Sequence, residues 1–190
     1  ILHSGIEIVS NQVCYSLLDQ RPNGGMNALC LEHGIKLLVY GTVAGGLLTE
    51  HWLNKPEPES KNLVTWSQQK YRRFINEIGG WDIFQTLLNT VANVAKRLDV
   101  SIANVACRYI LEQPSVGGII IGARLGESEH LQDTLRLFQF SLDDASKSEI
   151  GTALANIQPV PGDCGDEYRK PPFLTENGDL RHHVATIPPP

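Results

Sequence analysis

The stretch that decides the fold is residues 34–48, which read GIKLLVYGTVAGGLL. Its apolar run at 35–40 predicts a buried strand, and Tyr40 stands where that strand ends. Small residues follow, among them Gly45 and Gly46. Taken alone, the pattern fits a half-buried aromatic residue followed by an ordinary turn. It also fits a ring beside a loop whose backbone can approach a ligand closely.

Strand-like and helical segments alternate around this stretch. Residues 6–18 predict a strand, and residues 117–123, GGIIIGA, predict a third strand whose core at 119–121 is buried on both faces. Strands separated by helices favour a parallel sheet. The predicted helices cover residues 26–33, 81–98, 102–113, 127–136 and 143–156.

Cap and breaker residues set the predicted boundaries. Ser101 is predicted to cap the helix that follows it, and Ser141 with Asp144 has the spacing of a capping box. Residues 54–70 predict an irregular loop. Beyond Gln158 the proline, glycine and charged residues predict an extended tail. Its acidic cluster is interpreted as solvated and not as a metal site, and it contains Asp163, Cys164, Asp166 and Glu167.

Composition excludes several classes of partner. The 190 residues carry a net charge of −5, which gives no large positive field for nucleic acid or an anionic membrane surface. No apolar run approaches the roughly 20 residues of a membrane-spanning helix, and no signal peptide is visible. The four cysteines lie far apart, which predicts reduced thiols. We therefore expect a cytoplasmic protein that binds neither nucleic acid nor membranes, with no metal site.

The number of strands indicates an incomplete architecture. Three parallel strands cannot close on themselves, whereas an eight-stranded α/β barrel takes about 250 residues. The chain also begins at Ile1, with neither a methionine nor a polar segment before the first apolar residues. We expect an α/β fold that is part of a larger barrel: a barrel portion over residues 1–157 and an extended tail over 158–190.

Several motifs together resemble the C-terminal half of the aldo/keto reductase family: SNQVCYSLLDQRP, GIKLLVYGTVAGGLL, GGWDIFQTLL, NVACRYILEQPSVGGIIIGARLGESEHLQDTLR and GDCGDEYRKPPFLTENGDL. The resemblance spans nearly the whole chain. It implies a partial (β/α)₈ TIM barrel in which the three strands are the sixth, seventh and eighth. It also implies reduction of a small aldehyde or ketone with NADPH, or with NADH as the alternative.

The resemblance assigns cofactor-binding roles to individual residues. Gln12 matches the glutamine that binds the nicotinamide carboxamide, and Tyr40 matches the aromatic residue that stacks on the nicotinamide ring. The loop that wraps the pyrophosphate corresponds to Gly41, Thr42, Val43, Gly45 and Gly46. The segments that receive the adenosine phosphate and adenine correspond to Gly122, Ala123, Arg124, His130, Asp133 and Thr134. His130 and Thr134 depart from the residues common in the family, which bears on the preference for NADPH.

The catalytic set of the resembled family has no counterpart here. In that family an Asp, a Tyr, a Lys and a His on strands two to four carry the proton transfer, and those strands are not in this chain. Asp163 and Tyr168 reproduce the Asp-to-Tyr offset, but their place in the tail favours coincidence. We therefore assign no catalytic residue and expect this chain alone to be inactive. The alternative is a non-catalytic nucleotide-binding or interaction fragment that pairs with a complementary half barrel or a second copy.

Overall fold

The computed structural model describes residues 2–124, 126 and 130–168. Three parallel strands form one sheet in the order β1-β2-β3, namely β1 Ser10–Cys14, β2 Lys36–Tyr40 and β3 Val116–Ile120. The α-helices of the described residues are α1 Met26–Glu32, α2 Trp66–Glu77, α3 Trp81–Leu98, α4 Ile102–Leu111, α5 Leu131–Leu135 and α6 Asp144–Ala155. The predicted parallel α/β order is confirmed.

The two faces of the sheet have different surroundings. The register pairs Val13 with Val39 on one face, which we call the covered face, because their side chains are buried with residues of α1 and α4. Successive side chains of a strand point to opposite faces. The other face, which we call the open face, therefore carries Gln12 and Leu38 in register, and Gln12 is exposed.

The helical layer contains the larger hydrophobic core. Helix α3 contributes five side chains with at most 1% exposure, all at intervals of three and four residues, namely Phe84, Leu87, Leu88, Val91 and Val94. These residues pack with apolar residues of α2, α4 and α6. Both predicted ends of α3 and the Ser101 cap of α4 are confirmed, the latter by a hydrogen bond from the Asn104 N–H to the Ser101 hydroxyl.

Strand β3 is not buried on both faces, as the sequence predicted. It runs from Val116 to Ile120, so that Ile121 lies beyond it, and the Ile120 side chain is 44% exposed. On β2, the Leu38 side chain is 37% exposed. Within the part of the chain that the structure describes, the middle of the open face has no covering layer, and this accounts for the exposure.

The first strand is shorter than predicted at both ends. Ile6 and Val9 precede β1 and are exposed, so their apolar side chains do not extend the ladder. After Cys14 the chain turns, because the N–H groups of Leu18 and Asp19 both donate to the Ser16 hydroxyl. A run of β-branched residues predicts strand propensity, but a partner strand decides where the ladder ends.

One helix was not predicted, and the cap of another differs from the prediction. Helix α2 begins inside the segment 54–70 that was predicted to be a loop, where Thr65 and Gln68 form a reciprocal capping box. Helix α6 is capped by Asp143, whose carboxylate accepts from the Ser146 N–H, so the predicted capping box at Ser141 is wrong. Helix α5 is shorter than predicted, and residues 127–129 of that prediction lie outside the described residues.

The beginning of the predicted tail folds back onto the rest of the chain. The Gln158 N–H donates to the Ile78 carbonyl, and Val160 is buried. A 3₁₀ turn follows at Asp166–Tyr168, and its first two side chains are buried. The prediction of an extended tail is therefore wrong for 158–168, while residues 169–190 lie outside the described residues. The division of the chain at Ile157 remains a prediction.

Among the described helices, each is too short or too polar to cross a membrane.

Helix α2 packs directly on the loop that follows β2, and this packing explains one of the glycines there. Gly45 has φ +64°, and a β-carbon at that position would lie 2.8 Å from the backbone carbonyl carbon of Ser67. Gly46 has φ +89°, but a β-carbon there would have nothing within 4 Å. Two adjacent glycines therefore share a left-handed backbone and differ in the space around them.

This difference predicts different costs for the same substitution. Gly46→Ala should lower the free energy of unfolding by about 1–2 kcal/mol, the usual cost of a left-handed conformation in a non-glycine residue. Gly45→Ala should cost about 1–3 kcal/mol more, because the backbone of α2 must move away. Urea unfolding of the two variants, followed by circular dichroism, measures both values. Equal losses would contradict this account of Gly45.

Candidate active site

Tyrosine and charged side chains gather at the carboxyl ends of β1 and β2. Tyr40, the last residue of β2, donates its hydroxyl hydrogen to Glu167 Oε1 over 2.8 Å. Lys70 Nζ of α2 lies 5.3 Å from the centre of the Tyr40 ring. Burial and the neighbouring Glu167 carboxylate both raise the pKa of Tyr40, so its hydroxyl stays protonated and acts as a donor. The aromatic residue at the strand end therefore has partners on two other segments.

The ammonium group of Lys70 is surrounded by three aromatic rings. It lies 4.3 Å from the Tyr168 ring centre and 5.4 Å from that of Tyr71, in addition to its approach to Tyr40. It also donates a 2.5 Å hydrogen bond to the Tyr168 hydroxyl. A cation over aromatic faces is attracted by the ring quadrupoles. Lys70 thus connects α2 to the 3₁₀ turn Asp166–Tyr168 beside the end of β2.

A buried ion network lies next to these rings. The Arg21 guanidinium contacts Asp19 at 2.6 Å and Glu167 at 2.9 Å, and the exposed fractions of the three side chains are at most 3%. Burial alone would raise the pKa of Glu167, but the Tyr40 hydroxyl, the Glu167 N–H and Arg21 together lower it. The interpretation of the acidic cluster as solvated is therefore wrong for Asp166 and Glu167, whose side chains are both buried.

Cys14 lies on the same face of the sheet as Tyr40, with which it is in register. Its side chain is 1% exposed. Burial, followed by the charge of Asp19, raises the pKa of the Cys14 thiol well above its ordinary value. The thiol is therefore protonated at neutral pH, and this position does not supply a thiolate nucleophile.

The loop after β2 is held by its own backbone and by its neighbours. The N–H groups of Ala44 and Gly46 donate to the carbonyls of Gly41 and Val43. Gly41 has φ +77°, and a β-carbon there would lie 2.4 Å from the Tyr71 hydroxyl oxygen. Close packing on α2 thus accounts for Gly41, as it does for Gly45. Gly46 alone of the loop's glycines combines a left-handed backbone with free space.

Helix α4 connects this loop to the segment after β3. The Cys107 thiol donates to the hydroxyl of the buried Thr42 over 3.4 Å. One turn earlier, Asn104 Nδ2 donates to the Asp133 carboxylate over 2.9 Å. The hydroxyl of Ser101 also donates to Asp133, over 2.7 Å. One helix therefore positions the two segments to which the family resemblance assigns the phosphate and the adenine.

The predicted adenosine end is mostly exposed. Gly122, Ala123, Arg124 and His130 are exposed, and they follow β3 at the edge of the sheet where β2 also ends. Asp133 and Thr134 are half-buried, and the Thr134 N–H donates to the His130 carbonyl in the first turn of α5. The hydrogen bonds of the Asp133 carboxylate to α4 give that residue a structural function in addition to the predicted one.

Helix α4 contacts predicted residues of both segments, Thr42 in the loop and Asp133 in α5. Gln12 lies apart from them on the open face. Lys70 and Arg21 were missed, while Glu167 was interpreted only as part of a solvated cluster and Tyr168 only as a coincidence of spacing. No local pattern predicts their contacts, because Glu167 lies 146 positions from Arg21 and Tyr168 lies 98 positions from Lys70. Among the described residues, no group of three or more His, Cys, Asp or Glu side chains could hold a metal ion.

Comparison with known proteins identifies the family. A sequence profile of the aldo/keto reductase family matches residues 1–155. An uncharacterized oxidoreductase of Bacillus subtilis, YqkF, is 31% identical over 132 residues, which are 68% of this chain and 37% of that protein. The protein tas of Escherichia coli is 26% identical over 148 residues, or 78% of this chain and 40% of that protein.

Solved structures show the same fold. The glycerol dehydrogenase of Gluconobacter oxydans aligns with a TM-score of 0.66 at 19% identity, over 86% of this chain and 47% of its own. The holo form of an aldo-keto reductase from Bacillus halodurans aligns with a TM-score of 0.54 at 24% identity, over 78% of this chain and 43% of its own. The chain spans less than half the length of each of these relatives. It is part of an aldo/keto reductase barrel, and it belongs to the aldo/keto reductase family.

Proposed function

We propose that this chain is the cofactor-binding part of an NADPH-dependent reductase that converts a small aldehyde or ketone to an alcohol. The observation that carries the proposal is the position of Tyr40 at the end of β2, whose neighbour β3 is followed at the same edge of the sheet by exposed residues 122–124. In open parallel sheets, ligands bind at the carboxyl ends of the strands. Family membership supports a nicotinamide nucleotide as that ligand.

The residues at this edge, together with Gln12 on the open face, carry groups that suit such a nucleotide. Gln12 is exposed on the open face, and its amide offers both a donor and an acceptor for a carboxamide. The Tyr40 ring offers a planar surface for the nicotinamide. Gly46 has the space that a phosphate oxygen would need. Arg124 is exposed and carries the planar cation that suits a 2′-phosphate.

The remaining residues of this site would hold the nucleotide from the loop and from the adenosine end. They are Gly41, Thr42, Val43, Gly45, Gly122, Ala123, His130, Asp133 and Thr134.

The chemistry divides between this chain and residues outside it. The nucleotide, when bound, supplies a hydride to the carbonyl carbon. The residues of this chain bind it, orient its ring and keep water from one side of that ring. Protonation of the carbonyl oxygen needs a general acid, which the resembled family places on strands that this chain does not contain. We therefore assign binding and orientation to this chain, and proton transfer to the rest of the barrel.

A second function is favoured by the open face. Leu38 and Ile120 expose apolar surface in the middle of a parallel sheet, where a covering layer is the rule. Such a face suits a complementary half barrel or a second copy of the chain, and a nucleotide-binding or interaction fragment would need no catalytic set. The two functions differ in whether the paired protein reduces a carbonyl compound.

We expect Tyr40→Ala to weaken NADPH binding about tenfold, because the loss of ring stacking costs about 0.5–1.5 kcal/mol beyond the loss of buried area. Tyr40→Phe keeps the ring and loses only the hydroxyl that contacts Glu167, so it should bind NADPH at least as tightly as the unmodified chain. A titration followed by protein fluorescence gives both dissociation constants. The assignment of Tyr40 is wrong if alanine and phenylalanine have the same effect.

Arg124→Ala should weaken NADPH binding about tenfold or more and leave NADH binding unchanged, since a charge-assisted hydrogen bond contributes about 1.5–3 kcal/mol. Arg136→Ala is the matched control, because Arg136 is a half-buried arginine directly after α5 that contacts Asp99 and is assigned no contact with the nucleotide. Competition between the two nucleotides in the same fluorescence titration measures the preference. An equal loss for NADH would exclude a 2′-phosphate contact.

This chain alone should not oxidise NADPH above the blank rate when 4-nitrobenzaldehyde is the substrate. The reason is that it contributes binding residues without the general acid. The decrease in NADPH absorbance over time measures the reaction rate. Saturable turnover by the isolated chain would show that the catalytic set is complete within it.

A further inference from the structure

The segment 163–168, which we call the clasp, occupies the end of the candidate site where Tyr40 lies. Arg21 donates to the Asp163 carbonyl over 2.8 Å and to Glu167 Oε2 over 2.9 Å. Tyr40 donates to Glu167 Oε1 over 2.8 Å. Lys70 donates to the Tyr168 hydroxyl over 2.5 Å. Three residues from β2, α2 and the turn after β1 therefore hold the clasp.

The clasp is also a rigid turn in itself. The Asp163 N–H donates to Asp166 Oδ2, and the Gly165 N–H donates to Glu167 Oε2, both over 2.9 Å. The backbone N–H of Asp166 donates a hydrogen bond to the Asp163 carbonyl over 3.0 Å. A preorganised turn with a buried carboxylate loses little conformational freedom when it binds. It can therefore compete with a ligand for the same position.

Glu167 and Lys70 both contact Tyr40, the residue to which the proposed function assigns the nicotinamide ring. Lys70 Nζ lies over the Tyr40 ring, and the centre of the Tyr168 ring lies 4.3 Å from the same ammonium group. Glu167 uses the Tyr40 hydroxyl as a donor while its side chain is 1% exposed. A planar ring stacked on that face of Tyr40 would have to displace the Lys70 ammonium group, which Tyr168 of the clasp contacts through both its hydroxyl and its ring.

We propose that the clasp and the nicotinamide nucleotide bind at Tyr40 in a mutually exclusive manner, so that the closed clasp is an autoinhibitory contact of this chain. The inference rests on the proposed function, since it takes Tyr40 to be the stacking surface. The apparent nucleotide affinity is then the intrinsic affinity multiplied by the fraction of molecules in which the clasp is open. Any change that opens the clasp strengthens nucleotide binding without touching the nucleotide.

Glu167→Gln is the sharpest change available. The Glu167 carboxylate accepts hydrogen bonds from Tyr40, Arg21 and the Gly165 N–H. A glutamine keeps one oxygen that can accept a hydrogen bond. Its NH₂ group can only donate, so it cannot accept hydrogen bonds from the remaining donors. The closed clasp is therefore weakened, whereas the Arg21 contact with Asp19 remains.

The matched control is Glu112→Gln. Glu112 is likewise a glutamate paired with an arginine and contacted by a backbone N–H, but its partners are Arg108, Lys147 and Leu142. It therefore reproduces the loss of a paired carboxylate away from Tyr40. Tyr168→Phe removes only the hydroxyl that contacts Lys70, and it serves as a second, milder variant if Glu167→Gln does not fold by circular dichroism.

The experiment titrates NADPH into the full chain and these variants and follows protein fluorescence. Glu167→Gln should bind NADPH about tenfold more tightly than the unmodified chain, as expected when the closed form is about tenfold in excess. Tyr168→Phe should change affinity in the same direction by a smaller factor. Glu112→Gln should bind as the unmodified chain does.

A second readout follows the clasp itself. Burial raises the pKa of the Cys164 thiol to about 11, so it alkylates slowly while the clasp is closed. Iodoacetamide labelling, resolved by peptide mass spectrometry, should speed up several-fold at Cys164 in Glu167→Gln or when NADPH is added. The buried Cys107, with a pKa of about 11, is the internal reference and should not change.

The outcomes separate the two proposals. Tighter binding together with faster Cys164 labelling supports the exclusive clasp. Equal or weaker binding by Glu167→Gln, or protection of Cys164 by NADPH, overturns it, because the clasp would then line the site beside the nucleotide. In that case the proposed function stands. No saturable binding by the unmodified chain or by any variant overturns the proposed function and the exclusive clasp together.

Discussion

A parallel sheet needs both faces covered, and this requirement governs the structure of the chain. The covered face of the sheet packs against α1 and α4, with Leu37 and Val39 fully buried. Among residues 2–124, 126 and 130–168, none forms such a layer over Leu38, which is exposed. At the carboxyl end of the same face, α2 and residues 163–168 provide a partial cover over Cys14 and Tyr40. The face is thus closed at the end where the candidate site lies and uncovered below it.

The partial cover consists of charge and aromatic contacts instead of aliphatic packing. Removing an arginine and two carboxylates from water costs several kcal/mol per ion unless each is paired and hydrogen-bonded. Arg21 meets this condition with Asp19 on one side and Glu167 on the other. Such a contact has a defined geometry but a small net stability, because desolvation offsets most of the attraction. A cover of the same area formed by aliphatic side chains would be harder to open.

Local patterns in the sequence were sufficient for α3 and α4, but they missed α2 and were insufficient for the cover. The spacing of Phe84 to Val94 fixes a helix whatever surrounds it, and Ser101 caps its helix through a bond three residues away. A capping box depends on which of several nearby polar residues reaches the N–H group, and Asp143 does so instead of Ser141. The pairing of Arg21 with Glu167 joins positions 146 apart, and only the folded chain reveals it. Family resemblance named Tyr40 correctly as the residue at the strand end, yet gave no indication that it would be covered.

Glycines in the candidate site illustrate how a motif can combine two requirements. Gly41 and Gly45 are needed because Tyr71 and the backbone of Ser67 pack against them, and this need exists whether or not a phosphate binds. Gly46 has no such neighbour, so its left-handed backbone lies beside free space that a ligand could occupy.

The two ends of the candidate site also differ in how far other parts of the chain cover them. Under the proposed function, the exposed adenosine end with Arg124 is accessible while Tyr40 is covered, so a nucleotide can gain its phosphate contacts first and then use that binding free energy to displace the clasp.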